Sequence, residues 1–283
     1  MRRSLAAALA VAAMLASGTA SAQSRAFDAQ AMKLAIGEGS FLSIDGATVS
    51  KHLGFQVGGM IGYQHDPIVI RACGEMEAGV CTDTQGALGS PLEHHLSIEI
   101  WGTFQIFKIL EIGLAVPAVL YQDGSPVKDS TGATVVDPVR GHAGLGDPRL
   151  ALKLDLWHGV FRQESERLGL ALVPVLSFPI GNVVKSKSFM GDSSVTVHPR
   201  LVFEARWERV RLGVEVGYMW REHKEFFLAD MGHRLTFGAA VEVRIWKALL
   251  GILEATGQSG FSPEIASSPL ELDGAIRYGF DNG

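Results

Sequence analysis

Three histidines and two serines are the first candidates for chemistry in this 283-residue chain: His94, His95 and His198, with Ser97 and Ser177. Acyl transfer needs a hydroxyl, an imidazole and a carboxylate within mutual reach, and such triads are recognised by geometry, not by order along the chain. His95 and Ser97 share a face on any extended strand, because side chains two residues apart do. No spacing selects a third member. Glu93, His94 and His95 could hold a metal, but a polar cluster at a loop end has the same composition. Gly144-Leu-Gly-Asp leads into a strand and is followed by Pro148, whereas a phosphate-binding loop opens a helix. We expect neither an enzyme nor a cofactor nor a bound metal. Cys73 and Cys81 lie in a short Gly-rich polar stretch; in an oxidising compartment so close a pair forms a disulfide. Two thiols without clustered His or Asp partners make a poor metal site.

The charged residues say more. Arg149, Lys153, Arg200, Arg206, Arg211, Arg221, Arg234, Arg244 and Arg277 fall in one phase of alternating segments. Glu99, Glu111, Asp155, Glu204, Glu215, Glu242, Glu254, Glu271 and Asp273 fall in the same phase. The signs balance. Buried charges require partners, because desolvation of an unpaired ion is costly. A balanced set predicts cross-strand ion pairs filling the lumen of a narrow barrel and holding it together. A solute path lined by the same residues is the other reading, although a wide ion-selective pore carries one dominant sign. The formal net charge of −5 leaves no basic surface for nucleic acid.

Strands must position these residues. Leu150, Leu152, Leu154 and Leu156 alternate with Arg149, Ala151, Lys153 and Asp155; a helix would scatter the leucines, whereas a strand aligns them. The same period of two runs through 194–207, 210–221, 233–246 and 270–280. It runs more weakly through 53–64, 94–106, 110–121, 168–180 and 248–257. About ten strands result, mostly longer than the roughly 5–6 residues common in soluble sheets and matching the roughly 9–11 that cross a bilayer. Short links at Phe107-Lys108-Ile109, Glu208-Arg209 and Trp246-Lys247 alternate with longer ones at 65–93, 122–144, 181–193, 222–231 and 258–268; 158–167 is intermediate. Barrels with one end in the periplasm and the other outside alternate in this way. With a periplasmic N terminus the long connections, including the Cys73–Cys81 loop, fall outside. No segment after residue 22 is long and apolar enough for a membrane helix.

Periodicity alone does not say which face meets lipid. The apolar phase carries large residues, while the other mixes charges with Gly113, Ala115, Ala151, Gly213, Gly217 and Gly238, as suits a crowded interior. Hydrophobic residues at 47% and charged residues at 19% agree with an apolar exterior. Tyr63, Tyr121, Phe178, Tyr218 and Trp220 lie towards the long connections, and Trp207 and Trp246 beside short turns, as two aromatic girdles would. The fold class expected is all-β, an antiparallel up-and-down transmembrane barrel.

The N terminus reads as a cleaved signal peptide over residues 1–22: Arg2 and Arg3, an apolar run from Leu5 to Leu15, then Ala20-Ser21-Ala22. Residues 23–50 lack alternation and form an arm, a plug or a further strand, with the barrel over 51–283. The chain closes on Asn282-Gly283, which is hairpin-turn chemistry and suggests a further strand.

Ser90-Pro-Leu-Glu-His-His-Leu, Leu110-Glu-Ile-Gly-Leu-Ala-Val-Pro and Gly144-Leu-Gly-Asp-Pro-Arg-Leu-Ala-Leu-Lys resemble a group of myxobacterial and related outer-membrane barrels, often joined to a C-terminal OmpA-like peptidoglycan-binding domain that this sequence is expected to lack. Gly144-Leu-Gly-Asp, Ser177-Phe-Pro-Ile-Gly and Phe189-Met-Gly-Asp also resemble the MetA-type barrels of phenol-degradation clusters. The resemblance spans about residues 50–280 and implies a barrel of about twelve strands in complete relatives, by the even-number rule. It implies outer-membrane lipid and the barrel-assembly machinery as partners. The function expected is a structural or porin-like outer-membrane barrel passing small solutes; the alternatives are an outer-membrane hydrolase and a soluble periplasmic sandwich or lipocalin-like binder. Oligomeric state is left open.

Overall fold

Side chains on a strand point alternately to its two faces, so ten alternating segments make a sheet with unlike faces. A computed structural model describes residues 27–30, 32–37, 39–49, 52–77, 80–129, 131–141, 143–184, 189–226, 229–260 and 269–278. The segments read as a signal peptide and as a closing turn lie outside the described residues.

Ten strands build the wall: β1 (Phe55–Glu77), β2 (Val80–Ile106), β3 (Leu110–Asp123), β4 (Arg149–Asp155) and β5 (Leu168–Ser177), followed by β6 (Thr196–Arg206), β7 (Val210–Met219), β8 (Arg234–Trp246), β9 (Leu249–Gly260) and β10 (Leu270–Tyr278). Each pairs antiparallel with its neighbour in the chain, and a two-residue strand at Gly144–Leu145 adds to β3. The sheet curls through 334°, yet β1 and β10 stay 12 Å apart. That gap exceeds the ~4.8 Å spacing of bonded strands, so the closed barrel expected from sequence is replaced by a barrel-like sheet open along one seam.

The tight links fall where the sequence places them. Phe107 and Lys108 both have positive φ, 56° and 59°, which matches the turn to the twist of β2 and β3. One expectation needs correcting. Residues 65–93 are not a loop: β1 and β2 continue through them as a hairpin of 23- and 27-residue strands. Register shifts recur from His65 to Met76, and each one breaks the alternation that marks a strand in sequence. The Cys73–Cys81 disulfide ties this hairpin near its tip, with Cα atoms 5.8 Å apart.

Burial is inverted relative to a soluble domain. The enclosed face buries Glu99, Glu111, Arg149, Lys153, Asp155, Arg200, Glu204, Glu215, Arg234, Glu242 and Glu254. The outer face exposes Phe55, Ile61, Ile100, Leu114, Leu201, Phe203, Val214, Phe237, Leu253, Leu272 and Ile276, among others.

About eight strands make a hollow that side chains alone can fill, and ten make a wider one. Residues 32–37 and 39–49 occupy it. This arm starts at the long-connection end, where Phe27 packs edge-on against Phe189 and at a tilt against Phe226, in a small core with Ile70, Leu92, Val127, Val136 and Val139. It reaches the short-turn end at Leu53, whose N–H donates to the Gln105 carbonyl at 2.9 Å. The chain expected to begin on the short-turn side therefore crosses the hollow first; only β1 starts there.

Candidate functional site

The filled lumen concentrates the ionised side chains of the molecule. Lys153 lies opposite Glu111 on the β3–β4 pair, with Nζ 3.1 Å from Oε1. Arg211 lies opposite Glu242 on β7–β8 at 3.1 Å, and also reaches Glu204 at 2.7 Å. Two pairs span a strand between them: Arg149 to Glu99 at 2.6 Å and Arg277 to Glu242 at 3.2 Å. Arg200 faces Glu215 at 3.6 Å, Arg206 pairs with Glu204, and Asp155 holds His158 at 2.9 Å. Arg234 donates to the Gln258 amide oxygen at 3.0 Å.

The wall charges also grip the arm, and largely by its backbone. Glu254 accepts the N–H groups of Leu42 and Ser43 and the Ser43 hydroxyl, the last at 2.7 Å. Glu204 accepts the Ala47 N–H at 2.9 Å. Arg149 donates to the Leu34 carbonyl at 3.1 Å, Arg277 to the Ser40 carbonyl at 2.8 Å, and Arg211 to the Gly39 carbonyl. Hydrogen bonds with one ionised partner are the stronger class, so they suit a segment with little regular structure of its own. The main side-chain contribution from the arm is Asp45, fully buried, 2.5 Å from Arg200.

Small wall residues are the sockets for this arm. A Cβ added at Gly113 would stand 2.4 Å from Ile36, one at Gly213 2.4 Å from Phe41, and one at Gly238 2.9 Å from Ile44. Ala115, Ala151 and Ala171 pack with Ile36 and Ala47. The Arg211 guanidinium lies 4.0 Å over the Phe41 ring, a cation–π contact.

Some predicted residues lie elsewhere. Arg221 is past the end of β7, at the long-connection end, where Nε donates to the Gly232 carbonyl at 3.2 Å. Arg244 keeps the inward phase but is exposed near the short turn, because β8 runs beyond the arm there. Glu271 and Asp273 are only half-buried, since β10 borders the open seam. His95 and Ser97 do share the enclosed face, but the imidazole Nδ1 lies 3.3 Å from Gln122, an amide in place of a carboxylate. His198 contacts the Thr236 hydroxyl at 2.8 Å and His94 that of Tyr63 at 2.7 Å. The rim aromatics Tyr63, Tyr121, Phe178 and Trp220 are exposed at the long-connection end, Trp207 and Trp246 at the other. Asp45 was missed, for it sits in a stretch without period.

The three glycine motifs converge on one carboxylate. Buried Asp147 accepts the Gly181 N–H at 2.9 Å and the Asp192 N–H at 2.6 Å, tying the β3–β4 connection to the β5–β6 connection. Gly191 must be glycine here, because a Cβ would stand 2.2 Å from Asp147 Oδ1. Burial pushes this carboxyl up to about 6, against the two N–H donors that pull it down. Since the folded-state value is raised, the folded protein binds the extra proton, and the contribution to stability grows as pH falls from above 6 towards the unfolded value. Asp147→Asn turns an amide donor against one of the two N–H groups. We expect faster limited proteolysis within 178–195 at pH 7, and a stability gap between wild type and variant that widens from pH 7 to pH 5. Equal proteolysis rates would mean that the tie does not hold these connections.

No curated protein matches the chain. The family model for the MetA-pathway of phenol degradation matches residues 99–282, from mid-β2 past the end of β10 and more than half of the sequence. The match takes in all three glycine motifs together with Asp147, and the ladder of inward charges from Glu99 to Arg277. With most of its wall and the loop tie under one family model, the chain belongs to the family of the MetA-pathway of phenol degradation.

Proposed function

We propose that the chain is an outer-membrane β-barrel protein whose lumen is occupied by its own N-terminal arm, passing small solutes only where the arm leaves room. One observation carries this reading: large apolar side chains cover the outside of the curled sheet while carboxylates and guanidiniums are enclosed within it. Soluble proteins rarely expose contiguous apolar surface beyond a few hundred Å². A membrane barrel requires that surface, with aromatic residues at both rims. Exposed Phe55, Phe107, Trp207 and Trp246 at the short-turn end and Tyr63, Tyr121 and Trp220 at the other support such rims. The apolar exterior weighs against a soluble binder, and the amide beside His95 against a hydrolase.

The test is a detergent-extracted preparation run on a gel with and without boiling, then reconstituted into liposomes. Heat-modifiable migration and co-flotation with lipid are expected. Migration unaffected by heat, with protein left in the aqueous fraction, would end the membrane reading. Liposome swelling then measures passage, which is expected to be slow while the arm is in place. The family description makes small aromatic compounds the first solutes to test.

A further inference from the structure

At the short-turn end, between the arm and the wall, lies an open cavity of about 310 Å³. Arg206, Arg209, Arg211 and Arg244 line it against two carboxylates, Glu208 and Glu242. Arg206 and Arg211 are engaged with Glu204, and Arg211 with Glu242 as well. Among the described residues, Arg209 and Arg244 have no side-chain partner.

These two arginines are neighbours by construction of the sheet. Val210 pairs with Val243, and the Arg244 N–H donates to the Arg209 carbonyl at 2.8 Å, so their side chains leave the same face of β7–β8 next to each other. Like charges placed opposite on adjacent strands destabilise a sheet. A lone rim glutamate, Glu208, does not balance them, and the cavity wall keeps a net positive charge. Guanidinium forks match the geometry of carboxylate and phosphate oxygens, and a charged hydrogen bond to such a group would offset the repulsion. Trp207 and Leu250 supply an apolar side to the same cavity.

We propose that this cavity binds an oxyanion, a carboxylate or phosphate group, between Arg209 and Arg244. The inference stands on the cavity and its charges, and it does not require that the sheet cross a membrane. A phosphate group can come from solution or from a phospholipid headgroup, and the experiment separates the two. Full-length protein in zwitterionic detergent is titrated with inorganic phosphate by calorimetry. In parallel, protein in nanodiscs of mixed phosphatidylglycerol and phosphatidylcholine is examined by native mass spectrometry for retained lipid.

Saturable phosphate binding, weakened at least tenfold in Arg209→Ala/Arg244→Ala with folded gel mobility kept, is the expected result. Phosphate binding without lipid preference assigns a free anion. Retention of phosphatidylglycerol that the double substitution abolishes, without phosphate binding, assigns a headgroup. Arg244→Gln alone, at an exposed position, gives a second reading with at least a threefold loss. Wild-type protein that binds neither probe, or variants that bind as wild type does, would overturn the proposal.

Discussion

Deletion of residues 27–49 is expected to raise single-channel conductance severalfold in planar bilayers while leaving the folded, heat-modifiable form intact. The arm fills the centre of the hollow: Ile36 and Ala47 pack on Ala171, Val173, Val175 and Val202, and Phe41 and Ile44 on Ala240 and Ile252. Its removal leaves Glu254, Arg277 and Arg149 without the backbone groups they now hold. Those side chains would not stay dry, because the vacated space is polar-walled and wide enough for water, which replaces such hydrogen bonds at little enthalpic cost. The wall keeps its own pairs, Lys153 with Glu111 and Arg211 with Glu242. The thermal midpoint should fall, for packing against the arm is lost, but the sheet should persist. Conductance unchanged by the deletion would show that the arm does not limit passage.

The wall was legible in the sequence because side-chain alternation is a local property. Four successive inward residues of β4, Arg149, Ala151, Lys153 and Asp155, are buried, and its leucines lie on the other face. The tight link at Phe107-Lys108 was legible for the same reason: both flanking patterns stop there. Where alternation is interrupted, reading fails even though strand continues, as between His65 and Met76, where bulges shift the phase repeatedly.

The arm was illegible for a different reason. Its partners are the N–H groups of Leu42, Ser43 and Ala47 and the carbonyls of Leu34, Gly39 and Ser40, backbone groups that every residue type but proline possesses in full. A segment bound through its backbone shows no period. Its trace in the sequence lies in the wall, where Gly113, Gly213 and Gly238 break a ladder of larger inward residues. Composition marks them as small; that each is a socket for Ile36, Phe41 or Ile44 requires the arm to be in place. The inward charges are ambiguous in the same way. Arg200 belongs to the balanced inward set and meets Glu215 of the wall, yet its shorter contact is with Asp45 on the arm.

That contact supports the sharper of the two large effects. Asp45→Ala should destabilise the protein more than its size suggests, by about 3 kcal/mol, at the lower end of the range for breaking a buried ion pair. Arg200 is buried and the arm around it stays, so water cannot replace the lost carboxylate as it does when the whole arm is removed. Glu215 remains 3.6 Å away and softens the loss, which is why the lower end applies. Adding Arg200→Met to Asp45→Ala should restore part of the stability, because an apolar side chain of similar volume leaves no stranded charge. The coupling in that double-mutant cycle, read from thermal loss of the heat-modifiable form, should favour the double variant by about 1 kcal/mol or more. Gly213→Leu provides an independent handle, since it evicts Phe41 sterically and leaves every charge in place. It should expose the arm to protease and raise conductance towards that of the deletion, with the Asp45–Arg200 pair broken only indirectly. Additive single substitutions, together with an arm still protected in Gly213→Leu, would mean that the arm is not seated against β6 and β7 as described.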